Sequence, residues 1–136
     1  MSGEAFFDTS VLIYLVSDDD WLSGIAAEVL QRGGRVSAQV LSEFVAVSRR
    51  KMRQEWSKIH QDLLDIRRLC GPVQAITLGT HEEALRIAQR YGYHIYDSLM
   101  IASAIEAGCT TLYAEDMQDG QAIGALRIRN PFAIRR

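Results

Sequence analysis

The stretch AFFDTS, residues 5–10, decides the fold of this chain. Its apolar run is too short for a helix and stops abruptly at Asp8, which two hydroxyl side chains follow. Short apolar runs bounded by turn-forming residues are typical of buried strands. The stretch therefore predicts a first strand that ends in a polar turn carrying an acid.

Helices and strands are predicted to alternate along the rest of the chain. Apolar residues at helical spacing indicate helices, and short apolar runs indicate strands. Gly33-Gly34, Gly92 and Gly108 follow predicted helices, a position where glycine commonly ends them. The predicted helices cover residues 11–16, 21–30, 41–48, 56–69, 80–91 and 97–107, and the later strands cover residues 35–38, 73–78, 110–114 and 126–129.

This alternation predicts an α/β fold in three α/β/α layers, with a mainly parallel central sheet. The length of 136 residues, 48% of them hydrophobic, fits one domain over residues 1–136. In open α/β sheets, ligands bind at the carboxyl ends of the strands. Asp8 and Asp116 follow two predicted strands, so we expect the functional site at that edge.

The charged residues alone do not indicate a nucleic-acid-binding protein. The formal net charge is −2, and the basic residues are spread along the chain rather than gathered in an arm. Thirteen of the 15 basic residues are Arg, which grips phosphate or carboxylate through two parallel hydrogen bonds. A phosphate-bearing ligand or an acidic partner peptide would suit such a surface.

The sequence predicts a soluble, cytoplasmic protein. Cys70 and Cys109 stand far apart, without the spacing of a disulfide framework, so reduced thiols are expected. Glu4 lies where a secretory signal needs positive charge. No apolar segment approaches the ~18 residues that a membrane span requires.

Glu43 shares its predicted helix face with apolar side chains. Val40, Ala46 and Val47 lie about one turn away, and no Arg or Lys lies within one turn. Burying a carboxylate without a partner is costly. A metal ion or a distant Arg is therefore expected beside Glu43.

The other acids each have a structural explanation as well. Asp97 stands at the start of an apolar helix, where it would serve as N-cap, although Met100 three residues later breaks the capping-box pattern. Asp8 would stabilise its turn, and Asp116 and Asp119 belong to a polar loop. Acids at strand ends and on inner helix faces are, taken together, what a hard divalent cation requires.

Mg²⁺ or Mn²⁺ is the cofactor that these acids predict. Both ions prefer oxygen ligands and are held by a few carboxylates together with water and substrate phosphate. His60, His81 and His94 stand singly, without the spacing of a zinc site. We expect His94 to be a loop residue without a catalytic role.

Four segments carry a resemblance to a known family. They are FDTSVLI at residues 7–13, SEF at 42–44, YDSLMIA at 96–102 and LYAEDMQDG at 112–120, and the ending NPF at 130–132 is similar too. In this order they resemble PIN-domain ribonucleases, particularly the VapC toxins of toxin–antitoxin pairs. The resemblance covers the whole chain.

The resemblance implies a metal-dependent endoribonuclease toxin of a type II toxin–antitoxin system, with a metal-activated water as nucleophile. Asp8, Glu43, Asp97 and Asp116 match the family's acidic quartet, which binds the metal and catalyses, and Asp119 resembles an auxiliary acid. RNA is the implied substrate. The implied partners are a second copy, in a homodimer, and a small antitoxin that blocks the acidic pocket.

Ser10, Arg49 and Arg50 are candidates for contact with the RNA. The two arginines come just beyond the Glu43 helix, together with Arg53, and a solvated helix face explains them equally well. The Ser10 hydroxyl would bind phosphate or a metal-bound water, or it would cap the first helix.

Two other functions stay open. A phosphatase with an aspartyl nucleophile would attack through Asp8. Such enzymes have a DxD motif and a catalytic Lys late in the chain, whereas this chain has Ser10 two residues after Asp8 and no late Lys. A non-catalytic module would use the acidic pocket to hold an Arg of a partner. An intact quartet favours catalysis over such a module.

Overall fold

The computed structural model describes residues 4–133. Residues 1–3, on which the expectation about a secretory signal partly rests, and residues 134–136 lie outside this range. The elements in chain order are β1 (Glu4–Phe7), α1 (Thr9–Leu15), α2 (Asp20–Gln31), α3 (Ala38–Arg50), α4 (Trp56–Leu69), α5 (Leu78–Tyr91), α6 (Ile95–Glu106), β2 (Cys109–Tyr113), β3 (Ala122–Ile123) and β4 (Leu126–Arg129).

The sheet has the strand order β1-β2-β4-β3. β1 pairs with β2 and β2 with β4 in parallel, and β3 is antiparallel to β4. Phe6 and Phe7 are both fully buried. Because successive side chains of a strand point to opposite faces, β1 is covered on both sides. The predicted α/β fold with a mainly parallel sheet between helices is confirmed.

The predicted strands at residues 35–38 and 73–78 are wrong as strands. Each segment contributes single bridges, in which Phe6 pairs with Arg35 and Ser37 pairs with Gln74. Ser37 and Thr77 are the N-caps of α3 and α5, so the chain turns into a helix almost as soon as it has met the sheet.

Several helices begin earlier than the sequence predicted. Asp8 is the N-cap of α1, which starts at Thr9 rather than at residue 11. Thr77 caps α5, and Thr80, predicted to open this helix, completes a capping box from inside its first turn.

The start of α6 corrects the predicted position of Asp97. This helix begins at Ile95, and His94 is its N-cap, because His94 Nδ1 accepts a hydrogen bond from Tyr96 N at 3.2 Å. Asp97 therefore lies in the first turn instead of at the cap position, and His94, which precedes the helix as expected, caps it.

The core takes buried side chains from the sheet and from all six described helices. Its largest fully buried side chains include Phe6, Phe7, Leu12, Phe44, Ile101 and Leu112. Within residues 4–133, no helix combines the length and the apolar character needed to cross a membrane.

Candidate active site

The pairing of β1 with β2 brings two of the acids to one edge of the sheet. Phe7 and Tyr113, the last residues of the two strands, are register partners, and Asp8 N donates to Tyr113 O at 3.0 Å. Asp116 lies three residues beyond the end of β2. Both acids therefore lie at the carboxyl edge of the parallel strands, as expected.

The four predicted acids line one open cavity of about 410 Å³ at this edge. The middle of α3 supplies Glu43, and the first turn of α6 supplies Asp97. Hydroxyl, cationic and sulfur-bearing side chains complete the lining, among them Thr9, Ser10, Lys51, Met100 and Met117. The chain thus gathers acids that are far apart in sequence.

Asp8 is half-buried and hydrogen-bonded at both carboxylate oxygens. Thr9 N donates to Oδ1 at 2.7 Å and Ser10 Oγ donates to Oδ2 at 3.1 Å. Burial raises the pKa of Asp8 to about 6, which outweighs the lowering by these two hydrogen bonds. The charges of Asp97 and Glu43 raise this pKa further.

Asp97 lies in the same negative environment. Burial is the main cause that raises the pKa of this carboxyl, and Glu43 and Asp116 raise it too. His94 acts in the opposite direction. The cavity therefore concentrates negative charge that a cation would neutralise.

Glu43 is held by two neutral donors. Thr9 Oγ1 donates to Oε1 at 2.8 Å, and Gln39 Nε2 donates to Oε2 at 2.9 Å. These contacts replace the distant Arg that the sequence left open as a partner. They fix the carboxylate in one orientation without removing its charge.

Asp116 is exposed at the rim of the cavity, in a loop that is held by hydrogen bonds before and after this residue. Tyr14 Oη donates to Glu115 Oε1 at 2.7 Å, and Asn130 Nδ2 donates to Glu115 O at 3.4 Å. Gln118 N donates to Tyr93 Oη at 3.1 Å. The Asn130 side chain thus braces the loop that carries Asp116.

The structure does not bring Asp119 into the cavity. This residue is exposed, and its Oδ1 accepts a hydrogen bond from Asn130 N at 2.9 Å. Its contact ties the Asp116 loop to the end of β4. A part for Asp119 in binding the metal stays a prediction from the family resemblance.

Of the predicted RNA-contacting residues, Ser10 lines the cavity, and Arg49 and Arg50 do not. Arg49 Nη1 donates to Gln54 O at 3.0 Å, and its guanidinium lies 4.6 Å from the centre of the Trp56 ring. Arg50 is exposed at the end of α3. The two arginines therefore lie outside the acidic cavity.

Sequence reasoning missed Lys51, which lines the cavity. The signal was present, because Val47 and Lys51 follow Glu43 at intervals of one helical turn and so share its face. An exposed cation beside four acids has the chemistry to contact a phosphate group.

The carboxylates of the cavity fit Mg²⁺ or Mn²⁺ on the condition that water and substrate phosphate complete the coordination shell. In the described part of the chain, no three acidic, His or Cys side chains are placed to hold a metal ion together. Mg²⁺, however, commonly takes one or two carboxylates and completes its shell with water and substrate phosphate. Asp8 and Asp97 line the same cavity and lie close enough for the charge of Asp97 to act on Asp8, which suits that kind of site.

A sequence model of the PIN domain matches residues 5–120. The chain belongs to the PIN domain family. The matched residues include Asp8, Glu43, Asp97 and Asp116, so the resemblance drawn from the four sequence segments is confirmed. A search of curated proteins finds no significant match.

Two solved structures share the PIN fold of this chain. A toxin–antitoxin complex from Klebsiella pneumoniae matches with a TM-score of 0.70 and 21% identity, over 93% of this chain and 97% of the other. VapC20 of Mycobacterium tuberculosis, a toxin that cleaves the sarcin-ricin loop, matches with a TM-score of 0.67 and 22% identity, over 82% and 89% of the two chains.

Proposed function

We propose that this PIN-domain chain is a divalent-metal-dependent endoribonuclease and the toxin of a type II toxin–antitoxin pair. The observation that carries the proposal is the cavity that Asp8, Glu43, Asp97 and Asp116 line together at the carboxyl edge of the sheet. The likeness to a toxin–antitoxin complex and to a toxin that cleaves RNA supports it.

The four acids would have two different roles in binding a cation. Asp8 and Asp97 would hold Mg²⁺ or Mn²⁺, while Glu43 and the exposed Asp116 add negative charge around it. A bound cation would supply positive charge to the scissile phosphate and make a water molecule more acidic. Ser10 and Lys51, at the lining of the cavity, are placed to contact phosphate oxygens of the RNA.

The proposed partners are an antitoxin and a second copy of the chain, and the proposed compartment is the cytoplasm. Exposed apolar side chains support an assembly. Leu78 and Leu85, seven residues apart on α5, are 72% and 45% exposed, and Tyr96 at the start of α6 is 56% exposed. Apolar side chains that share an exposed helix face are typical of protein contacts.

Cleavage of RNA by the purified protein tests the nuclease. We expect Mg²⁺-dependent cleavage of total RNA that Asp97→Asn reduces at least about a hundredfold, as loss of a metal ligand should. Asp65→Asn, at an exposed acid on α4, is the matched control and should cleave like the wild type. Equal cleavage by the Asp97 variant would overturn the proposal. A protein that cleaves no RNA but binds an Arg-bearing peptide in the cavity would be the non-catalytic module instead.

Expression in a bacterial host tests the role as a toxin. Induction of the wild type should arrest growth, and co-expression of the small protein encoded beside it should restore growth. Glu43→Gln should be harmless, whereas Glu28→Gln, at an exposed acid on α2, should remain toxic. Full toxicity of the Glu43 variant would contradict a nuclease toxin.

A further inference from the structure

Gln39 lies one helical turn before Glu43 on α3 and connects this helix to the first turn of α6. Its Nε2 donates to Glu43 Oε2 at 2.9 Å and to the backbone oxygen of Tyr96 at 3.1 Å. Tyr96 belongs to the first turn of α6 and immediately precedes Asp97. One amide group therefore links Glu43 to the turn of α6 that carries Asp97.

The chemistry of these contacts permits only one orientation of the amide. Both acceptors are oxygens, so both hydrogens of the Gln39 amide are used, and a flipped amide would place Oε1 against a carboxylate and a carbonyl. In the orientation found, Oε1 is buried and without a hydrogen-bond partner among the described residues. An unsatisfied acceptor costs stability, so the two donor contacts are what hold the amide in this orientation.

The bridge joins two helices, α3 and α6, that make few direct contacts with each other. α3 packs mainly against α1 and α4, while α6 packs mainly against α5 and β2. Glu43 and Asp97 line the same cavity, and two negatively charged carboxylates in one cavity repel each other. A hydrogen-bonded link between α3 and the first turn of α6 opposes that repulsion.

We propose that Gln39 is a positioning residue that sets the placement of the Glu43 carboxylate relative to Asp97. The inference rests on the proposed nuclease function and deepens it, because Gln39 is assigned to act through Glu43 rather than on RNA. Gln39 also holds the backbone oxygen of Tyr96, next to the proposed metal ligand Asp97. Partners that orient metal-binding carboxylates typically change metal affinity or activity by about 10–100-fold when they are removed.

The test replaces Gln39 by Met, which has a similar size and no amide. We expect Gln39→Met to weaken Mn²⁺ binding, measured by calorimetry, about tenfold and to lower kcat for RNA cleavage by about 10–100-fold. The KM for RNA should stay within about twofold, because no RNA contact is removed.

Gln61→Met is the matched control. Gln61 on α4 donates to Asp65 Oδ1 at 3.0 Å across the same spacing of four residues, but this pair is exposed and lies outside the cavity. The Gln61→Met variant should have the Mn²⁺ affinity and the RNA cleavage of the wild type. If the Met variant at residue 39 does not fold, Gln39→Asn serves, because its amide is one methylene too short to reach both acceptors.

A double-mutant cycle separates positioning from a general structural effect. In a Glu43→Leu background, which removes the acceptor of the Gln39 hydrogen bond, Gln39→Met should change Mn²⁺ affinity less than about twofold, because the carboxylate that Gln39 positions is gone. An equal loss of affinity in both backgrounds, or wild-type affinity in the single variant, would overturn the proposal. If the wild type cleaves no RNA, the nuclease function fails, and the Mn²⁺ cycle still decides the role of Gln39.

Discussion

The hydroxyl of Thr9 donates to Glu43 Oε1 at 2.8 Å and so joins the start of α1 to the middle of α3. The backbone N–H of the same residue donates to Asp8 Oδ1 at 2.7 Å. Thr9 is buried, with 8% of its surface exposed. One buried residue therefore orients two acids of the cavity.

Thr9→Val should destabilise the protein and weaken the metal site. The substitution keeps the shape of the side chain but removes a hydrogen bond to a carboxylate, a loss of about 2 kcal/mol in the free energy of unfolding. Mn²⁺ binding should weaken as well. Thr110→Val, at an exposed position of β2, is the control and should change stability by no more than about 0.5 kcal/mol. Urea unfolding of both variants measures the difference, and equal stabilities would contradict the role of Thr9.

Asp8→Asn should stabilise the metal-free protein above pH 6. Because burial raises the pKa of Asp8 from 3.8 to about 6, the folded state binds a proton more tightly than the unfolded state does. The protonated carboxyl therefore contributes stability that is complete below about pH 4 and is lost as the pH rises through about 6. A difference of about two pH units corresponds to about 3 kcal/mol.

Thermal unfolding in EDTA between pH 4 and 8 measures this effect. The wild type should lose stability across that range more steeply than Asp8→Asn, and added Mn²⁺ should restore the wild type but not the variant. Asp18→Asn, at an exposed acid in the α1–α2 turn, should follow the wild-type profile. Parallel profiles for wild type and Asp8→Asn would contradict an ionisable, buried Asp8.

Gly34→Ala should be among the most damaging changes outside the cavity. A Cβ at this position would lie 2.5 Å from Ala5 O and 2.6 Å from Phe7 Cε2. Ala5 O cannot withdraw easily, because it accepts a hydrogen bond from Arg35 N at 2.8 Å. We expect a loss of about 3 kcal/mol in the free energy of unfolding.

Gly24→Ala is the opposite case. No atom lies within 4 Å of a Cβ built on Gly24, which lies inside α2. The change should stabilise the protein by about 0.5–1 kcal/mol, since alanine favours a helix more than glycine does. Chemical unfolding of the two variants should therefore shift in opposite directions, and a shift in the same direction would contradict the close approach at Gly34.

Both cysteines should react slowly in the folded protein. Burial raises the pKa of Cys70 and of Cys109 to about 11, so few thiolates are present at pH 8. Alkylation by iodoacetamide should be at least about a hundredfold slower in the native protein than in urea. Labelling at the unfolded rate would show that these thiols are accessible.

Much of the fold could be predicted from local sequence patterns. The end of α5 at Gly92 and the bounds of β4 both follow from residues that are close in sequence. β3 was missed because a strand of two residues, Ala122 and Ile123, leaves no periodic pattern to detect.

Local patterns failed where a neighbour in space decides the structure. The segments 35–38 and 73–78 have the composition of strands. Ser37 and Thr77, however, start helices before more than isolated bridges form. His94 is a rare N-cap residue, so the sequence placed the start of α6 too late.

The sequence predicted the acids of the candidate site better than it predicted the residues that hydrogen-bond to them. Asp8, Glu43, Asp97 and Asp116 share one cavity, as expected from strand ends, apolar helix faces and the family resemblance. The contact of Thr9 with Glu43 spans 34 residues, and that of Gln39 with Tyr96 spans 57. No spacing rule in a single sequence reveals such contacts.

The chemistry of the RNA ends tests the central claim most directly. A defined RNA, cleaved once by the purified protein in a titration of Mg²⁺, would be analysed for its product ends. A metal-activated water predicts 5′-phosphate ends, a rate that saturates with Mg²⁺, no cleavage in EDTA and no cleavage by Asp97→Asn. Products with 2′,3′-cyclic phosphate ends, formed equally well in EDTA, would contradict hydrolysis at the acidic cavity.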